Sequence, residues 1–362
     1  MAMTGLVLFV IAALEPFMGL DIGGRDSLAG LTSGPSELNA LGAWPMATVV
    51  LATTIGAPLI KLLATIYVLL GIRLPHPPQH LRAVFRWVER LSPWSMVEVF
   101  LLGAFVAYTR LIDIAQVQVG TALYALGGLM LAMAATDGFM DDAEMWDRLA
   151  PPMPPPPGPG RLVGCECCHQ VGRLPAAAGR VACTRCGAML HRRRVDSLAQ
   201  SAALLAAAAL LYLPANLLPV MHLVSFGQGK SETIISGVLA LAGSGMWPLA
   251  ALVFFASITV PVLKLVGMSI LLISTRLHSR SRLAERTLLF RIVEAVGRWS
   301  MIDVFMISIL TALVRLGALA TVTPGPGAVC FCGVVILTML AAMRFDTRLM
   351  WDAMRPEEVQ PA

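Results

Sequence analysis

The chain has 362 residues, 57% of them apolar and 14% charged, with a mean hydropathy of +0.75 and a net charge of +5. A soluble domain needs charge to cover its surface, so this balance is that of an integral membrane protein. Of the 27 basic residues only Lys61, Lys230 and Lys264 are lysines, and the arginines cluster between apolar runs. The positive excess therefore reads as membrane topology and not as a nucleic-acid surface.

Crossing about 30 Å of hydrocarbon takes roughly 20 apolar helical residues. On that measure the predicted spans, in chain order, are 3–20, 45–72, 94–112, 115–136, 198–221, 246–275, 299–316 and 326–343. The first run has no basic residue ahead of its apolar stretch, so it is read as a span and not as a signal peptide. The loop 73–93 holds Arg73, Arg82, Arg86 and Arg90, the linker 137–197 holds eight arginines, and 276–298 holds six. The opposite-side segments hold one basic residue each: Arg25, Arg110, Lys230 and Arg315. By the positive-inside rule both termini and the central linker are expected in the cytoplasm. Trp44-Pro45 and Trp247-Pro248 are expected at the outer membrane–water boundary.

Between the fourth and fifth spans, residues 151–160 are almost all proline and glycine, a stiff polyproline-type spacer. Cys165-Glu-Cys167-Cys168 and Cys183-Thr-Arg-Cys186-Gly follow, two Cys-x-x-Cys knuckles with 14 residues between them. Cys165, Cys168, Cys183 and Cys186 suit one tetrahedral ion, and thiolate softness favours Zn²⁺. A module this small lacks an adequate core of its own, so metal must supply much of its folding energy. A thiol redox pair and an iron–sulfur cluster are the rival readings, and Cys167 is a candidate substitute for Cys168 or a fifth, reactive thiol. His169 and His191 are possible ligands read as bystanders, and Cys330 and Cys332 as packing residues.

The two halves repeat. A shift of 203 residues lays Gly42-Ala-Trp-Pro45 on Gly245-Met-Trp-Pro248, Pro58 on Pro261 and Lys61 on Lys264. A shift of 205 then lays Trp94-Ser-Met-Val-Glu98-Val-Phe100 on Trp299-Ser-Met-Ile-Asp303-Val-Phe305, Arg110 on Arg315, and Trp146-Asp147 on Trp351-Asp352. Each copy has an even number of spans, so the copies are expected to run parallel. The predicted fold is an all-α polytopic membrane protein of two parallel four-helix repeats. The first repeat covers 1–147, a Pro-rich linker 148–160, a cytoplasmic zinc ribbon 161–195, the second repeat 196–354 and a tail 355–362.

Lys61 and Lys264 lie deep in the second helix of each copy, three residues after a proline. A central lysine costs roughly 2.5–3.5 kcal/mol on insertion scales, so each needs a polar partner. Repeat logic nominates Glu98 for Lys61 and Asp303 for Lys264, their depths differing by about 6 Å. The four form the candidate intramembrane polar site, against the alternative of buried ion pairs that only fix helix register. The preceding proline is expected to free backbone carbonyls as further acceptors. Arg110 and Arg315 read as interface anchors. Glu15 matches Leu218 in the other copy, so any role for it is confined to one half.

Tyr212-Leu-Pro-Ala-Asn-Leu-Leu-Pro-Val-Met221, the Cys183-x-x-Cys186-Gly-Ala knuckle, Pro-x-x-Lys in the second helix and Trp-Ser-Met-x-Glu/Asp-Val-Phe in the third resemble the paraquat-inducible protein A family over nearly the whole chain. That resemblance implies an inner-membrane protein of Gram-negative bacteria that works with a periplasmic MCE-domain protein to move lipids between the membranes. It carries functional weight onto Lys61, Glu98, Lys264 and Asp303. It also implies a ribbon ahead of each membrane unit, and none precedes the first helix among these residues. The first copy lacks the Pro-Ala-Asn-Leu-Leu-Pro block and has Glu98 where the second has Asp303, so the copies are expected to be unequal.

The resulting expectation is a lipid-transport subunit with phospholipid as substrate, an MCE-domain partner on the outer loops 21–43 and 222–244, and no nucleic-acid partner. It is not expected to be an enzyme, because no Walker motif, nucleophile triad or dinucleotide fingerprint is present. The alternatives are a proton- or ion-coupled small-solute transporter and a membrane redox or metal sensor using the cysteine module.

Overall fold

The computed structural model describes residues 1–362 apart from 23, 24, 75–77, 79, 113–115, 156, 176–179, 226, 227, 315–319 and 353–362. Arg315 and the tail 355–362 lie outside the described residues.

Each half of the chain folds into the same sequence of elements. The first runs α1 (Ala2–Leu14), β1 (Met18–Ile22), β2 (Arg25–Ala29), α2 (Ser33–Ala40), α3 (Trp44–Leu51), α4 (Ala57–Gly71), α5 (Leu81–Leu91), α6 (Val97–Leu111), β3 (Gln116–Val119), α7 (Thr121–Phe139) and α8 (Asp142–Leu149). Four short strands of the cysteine module follow: β4 (Arg161–Gly164), β5 (Val171–Leu174), β6 (Val181–Ala182) and β7 (Met189–Leu190). The second half runs α9 (Ser197–Leu217), β8 (Met221–Ser225), β9 (Gln228–Glu232), α10 (Ile234–Gly243), α11 (Trp247–Phe254), α12 (Val260–Arg276), α13 (Leu283–Gly297), α14 (Ile302–Leu313), β10 (Ala320–Pro324), α15 (Pro326–Arg344) and α16 (Arg348–Asp352).

Among the described residues seven helical segments are long and apolar enough to cross a membrane. The remaining expected span, the first in the chain, is shorter than predicted. α1 has 13 residues, because the chain passes Pro16 and enters β1 where the sequence reading continued the helix to residue 20. Outside the spans the structure adds strands the reading did not foresee. β1 pairs antiparallel with both β2 and β3, and β8 pairs antiparallel with both β9 and β10, so each half has one three-stranded sheet with its first strand central. Gly120 closes the first sheet, and its amide donates to Phe17 O at 3.0 Å. An added Cβ there would collide with the Pro16 carbonyl, which is why the position needs glycine.

The prolines of the second helices leave the same mark twice. Ala52–Gly56 and Phe255–Thr259 are π-helical turns, each ending just before the turn that holds Pro58 or Pro261. Proline has no N–H to donate and its ring crowds the carbonyl a turn earlier, so the helix widens locally. In the first copy the Thr53 carbonyl accepts from Met96 N–H at 3.4 Å, a long bond that ties the widened turn to the start of the third helix.

By contact the chain divides into two compact units, Met1–Glu15 with Ala52–Val97 and Thr121–Arg194, and Pro16–Leu51 with Glu98–Gly120 and Val195–Ala362. In the first, α1 packs along α7 and α4, and Val68, Leu81, Phe85, Val88, Met145 and Trp146 form a core continuous with the cysteines of the small module. In the second, α9 packs along α15, secured by Ser197 and Ser201 hydroxyls that donate to the Arg344 and Ala341 carbonyls at 2.8 and 2.9 Å. Met268, Leu271, Phe290, Val293 and Phe345 fill the core beside them. α6 crosses α14 closely at Gly103, where an added Cβ would sit 3.0 Å from that of Phe305.

Candidate functional site

The cysteine module is built by its turns. Cys165 N–H donates to Gln170 O at 2.9 Å and Cys183 N–H to Ala188 O at 2.7 Å, so each knuckle folds back over its own pair of thiols. Gly187, at φ +71°, supplies the left-handed residue that the second knuckle needs. All four Sγ atoms of Cys165, Cys168, Cys183 and Cys186 lie within 4.8 Å of one another, and all four residues are buried. The closest pairs, Cys165–Cys186 at 3.5 Å and Cys168–Cys183 at 3.6 Å, have the sulfur separation expected about one tetrahedral ion with metal–sulfur bonds near 2.3 Å. The donor set therefore fits a metal ion.

The hydrogen bond with Cys186 and burial push the Cys165 thiol up to about 12, and burial pushes that of Cys168 up to about 11. Metal uptake there must displace protons. His169 and His191 are not in the cluster: His191 Nδ1 lies 3.0 Å from Met189 O, and His169 occupies a left-handed turn at φ +56°. Cys167 also stands apart, its thiol donating to Glu89 Oε2 at 3.2 Å.

Arginines lock the module to the helices. Arg185, buried, pairs with Asp147 and donates through Nε to Ala150 O at 2.7 Å and through Nη1 to Cys168 O at 3.3 Å. Arg86 Nη1 donates to Cys186 O at 3.2 Å. Trp146, from the matched Trp-Asp pair, packs edge-on to Phe85 and donates to Glu89 Oε1 at 2.8 Å.

Both lysines are buried, at 5% exposure for Lys61 and 2% for Lys264, but neither has the partner that repeat logic assigned. Lys61 Nζ donates to Asp137 Oδ2 at 2.7 Å and to Ser92 Oγ at 3.1 Å. Lys264 Nζ donates to Gly297 O at 3.0 Å and to Thr338 Oγ1 at 3.2 Å, with no carboxylate bonded to it among the described residues. Counting depth along helices set Glu98 and Asp303 within reach, but the side chains that meet the lysines come from the fourth helices, Asp137 of α7 and Thr338 of α15. The symmetry persists at the other contact, because Ser92 and Gly297 are the same position under the 205-residue shift. Asp137 matches Ala342, and Thr338 matches Met133, so the fourth-helix partner lies one turn apart in the two copies.

The Lys61–Asp137 pair is half-wet, its side chains 7% and 46% exposed. Asp137→Asn leaves a mostly buried ammonium with only neutral acceptors, and is expected to destabilise the protein by about 1–3 kcal/mol. Lys61→Met/Asp137→Leu is expected to recover most of that loss. Thermal unfolding of the purified single and double variants checks both outcomes.

The matched acids also part company. Glu98 is exposed in the first turn of α6, where its charge complements the helix N-terminus. Asp303, in the first turn of α14, is buried near Ser257 of the π-helical turn, whose hydroxyl donates to Val253 O at 2.7 Å, and its Oδ1 has no hydrogen-bond partner among the described residues. Its nearest cationic influence is Arg110, which also feels Glu232 of β9. Arg110, read as an interface anchor, points inward here: its Nε is buried with no partner among the described residues, and an added Cβ at Gly237 would meet its Nη2 at 3.4 Å. Arg110, Glu232, Ser257 and Asp303 line one small cavity of about 30 Å³, together with Val253, Met306 and Phe331. Sequence reasoning missed Asp137, Ser92, Ser257, Glu232 and Thr338; their one shared signal was a polar residue inside or at the end of an apolar run.

The chain matches the family described as Paraquat-inducible protein A over residues 1–150 and 198–355. It is 36% identical over 353 residues to the lipophilic envelope-spanning tunnel protein A of Escherichia coli K12, covering 98% of this chain and 81% of that protein. It is 34% identical over 361 residues to the intermembrane transport protein PqiA of the same strain, covering 97% and 85%. A probable intermembrane transport protein of Haemophilus influenzae is 29% identical over 276 residues, covering 75% and 66%. No solved structure matches the chain. With the motifs of both halves inside the matched regions, this multi-pass membrane chain belongs to the paraquat-inducible protein A family.

Proposed function

We propose that the chain is the inner-membrane subunit of a lipid transport system that carries phospholipid between the inner and outer membranes with a periplasmic MCE-domain partner. The names of its relatives support the transport part of this reading, and the positive-inside pattern supports cytoplasmic termini and a cytoplasmic module. The module would hold Zn²⁺ through Cys165, Cys168, Cys183 and Cys186. The ion would supply cross-linking and no chemistry, since four protein thiolates leave it no open position. The chain itself is not an enzyme in this reading. The repeats over 1–147 and 196–354 would be its two transport halves, and the sheets formed by β1–β3 and β8–β10 would offer backbone edges on the partner's side.

The observation that carries the mechanism is the cavity holding Arg110, Glu232, Ser257 and Asp303. Its volume suits one or two waters and is far below that of a phospholipid headgroup. A buried carboxylate and a half-buried guanidinium lining so small a space can exchange a proton or a water without admitting substrate. That favours ion coupling by Asp303, with the lipid moving along another surface of the bundle. Lys264 is enclosed between α12, α13 and α15, and a headgroup would reach it only after those helices part.

Asp303→Asn keeps the shape of the side chain and removes its charge. In the host strain, deprived of redundant lipid carriers, this variant is expected to weaken the outer-membrane barrier at unchanged protein level. An intact barrier would count against the coupling role of Asp303.

A further inference from the structure

α5 carries three arginines and one acid, and the structure sorts them by face. Leu81, Phe85 and Val88 are buried beneath the helix. Glu89 turns toward the module, occupied by the Trp146 indole and the Cys167 thiol, and Arg86 turns to the Cys186 carbonyl. The outward face keeps Trp87, 56% exposed, with the Arg90 guanidinium 5.9 Å from its ring centre. Arg90 is exposed, Arg82 is half-exposed, and Arg73 is exposed in the turn that follows α4. The helix's only carboxylate is thus withdrawn from this face, which is left cationic and aromatic.

Position in the chain fixes the surroundings of that face. α5 follows the candidate span Trp44–Gly71 and forms the charged first part of the candidate stretch Leu81–Leu111, and the extended backbone at Ser95 breaks the helical path before α6 begins. It therefore lies where the spans leave the bilayer. An exposed indole with arginines at that level is the side-chain set suited to the headgroup boundary.

The matching helix of the other copy is built differently. In α13, Ile292 stands for Trp87, Ala295 for Arg90 and Thr287 for Arg82. Glu294, the counterpart of Glu89, is exposed one turn from Arg291 and Arg298, so its arginines have a carboxylate beside them. The cationic face is specific to one half of a duplicated protein, beyond what the positive-inside rule alone requires.

We propose that the outward face of α5 binds the headgroup of an anionic phospholipid in the leaflet on the module's side. Arg82 and Arg90 hold the anionic headgroup, and Trp87 sits at the boundary with the acyl chains. The site goes beyond the transport reading and holds whichever way the cargo moves.

The test uses the purified full-length chain in detergent, titrated separately with phosphatidylglycerol and phosphatidylcholine, with bound lipid counted by native mass spectrometry. The parent is expected to prefer phosphatidylglycerol. Arg82→Gln/Arg90→Gln is expected to weaken that binding roughly 25-fold, about fivefold for each arginine, and to leave phosphatidylcholine unchanged. Arg90→Lys should retain the preference, and Arg291→Gln/Arg298→Gln on α13 should not alter it. Unchanged metal content reports that the inner face of α5 is intact in each variant. A parent without preference would overturn the proposal, as would a double variant that binds phosphatidylglycerol like the parent or loses both lipids alike. A parent dimer that the double variant abolishes would assign the face to a second copy instead.

Discussion

Lys264→Met is expected to leave the bundle as stable as the parent, or more stable by about 1–4 kcal/mol, the range seen when apolar side chains replace buried charges. The same variant is expected to lose lipid transfer by at least tenfold. The two outcomes follow from the surroundings of the ammonium. Lys264 is buried, and its described acceptors are the Gly297 carbonyl and a Thr338 hydroxyl that already donates to Val335 O at 2.9 Å. Removing the charge orphans no other charge and relieves a desolvation cost of several kcal/mol. In the proposed transport reading, a buried lysine with no carboxylate bonded to it among the described residues acts when the helices move. Thermal unfolding and lipid transfer measured on the same preparation decide the matter. A lowered unfolding temperature with transfer intact would make Lys264 a structural strut.

Cys183→Ser should be the most damaging single change to the first unit. The module's strands are two to four residues long, and its buried interior is largely the four cysteines with Leu174 and Leu190. In the proposed reading such a fold depends on its ion; metal binding contributes about 10–16 kcal/mol in comparable zinc-dependent peptides. Bound metal is expected to fall from one ion per chain to none. Trypsin should then cut at Arg173 and Arg185 at least ten times faster, since Arg185 is protected by its bonds to Asp147, Ala150 and Cys168. The damage should spread to α5 and α8, because Phe85, Val88 and Trp146 share one core with the thiols. Elemental analysis and timed proteolysis of the purified variant report both effects. A variant that kept its metal and its resistance would show that the module does not need the four-thiolate site.

Much of this arrangement was legible in the sequence because apolar run length and cysteine spacing are local signals. Most spans lie near their predicted limits, although α1 ends at Leu14 where residue 20 was expected and α7 begins at Thr121 where residue 115 was expected, and the four paired cysteines came together as their spacing required. Pro58 and Pro261 announced a disturbed helix, and the π-helical turns and the Thr53–Met96 bond are its physical form. The strands were missed because they are short and lie between spans, where the apolar pattern stops. A Gly-Gly pair at 23–24 between β1 and β2 was the available hairpin cue.

Partner choice inside the membrane was the harder problem. Depth counted along a helix gives a coordinate in one dimension, and a lysine's neighbours depend on which helix packs beside it. Asp137 and Thr338 sit on the fourth helix of each copy, one turn apart under the repeat, so no alignment of the halves could pair them with the lysines. Glu98 and Asp303 align with each other but differ in burial, because α14 is buried throughout its length while Glu98 faces outward. The inequality foreseen between the copies thus has a physical content. Among the described residues the buried carboxylate with a guanidinium beside it belongs to Asp303, and the half-wet ion pair belongs to Lys61.

In the proposed function this chain passes membrane lipid to a periplasmic partner. The direct measurement reconstitutes the chain, with a periplasmic MCE-domain protein of its host, in liposomes carrying radiolabelled phospholipid, and counts label on the re-isolated partner. The account predicts that label accumulates on the partner with the parent chain and falls at least tenfold with Asp303→Asn or Lys264→Met. An intact complex that leaves the partner unlabelled, or labels it equally with both variants, would contradict it.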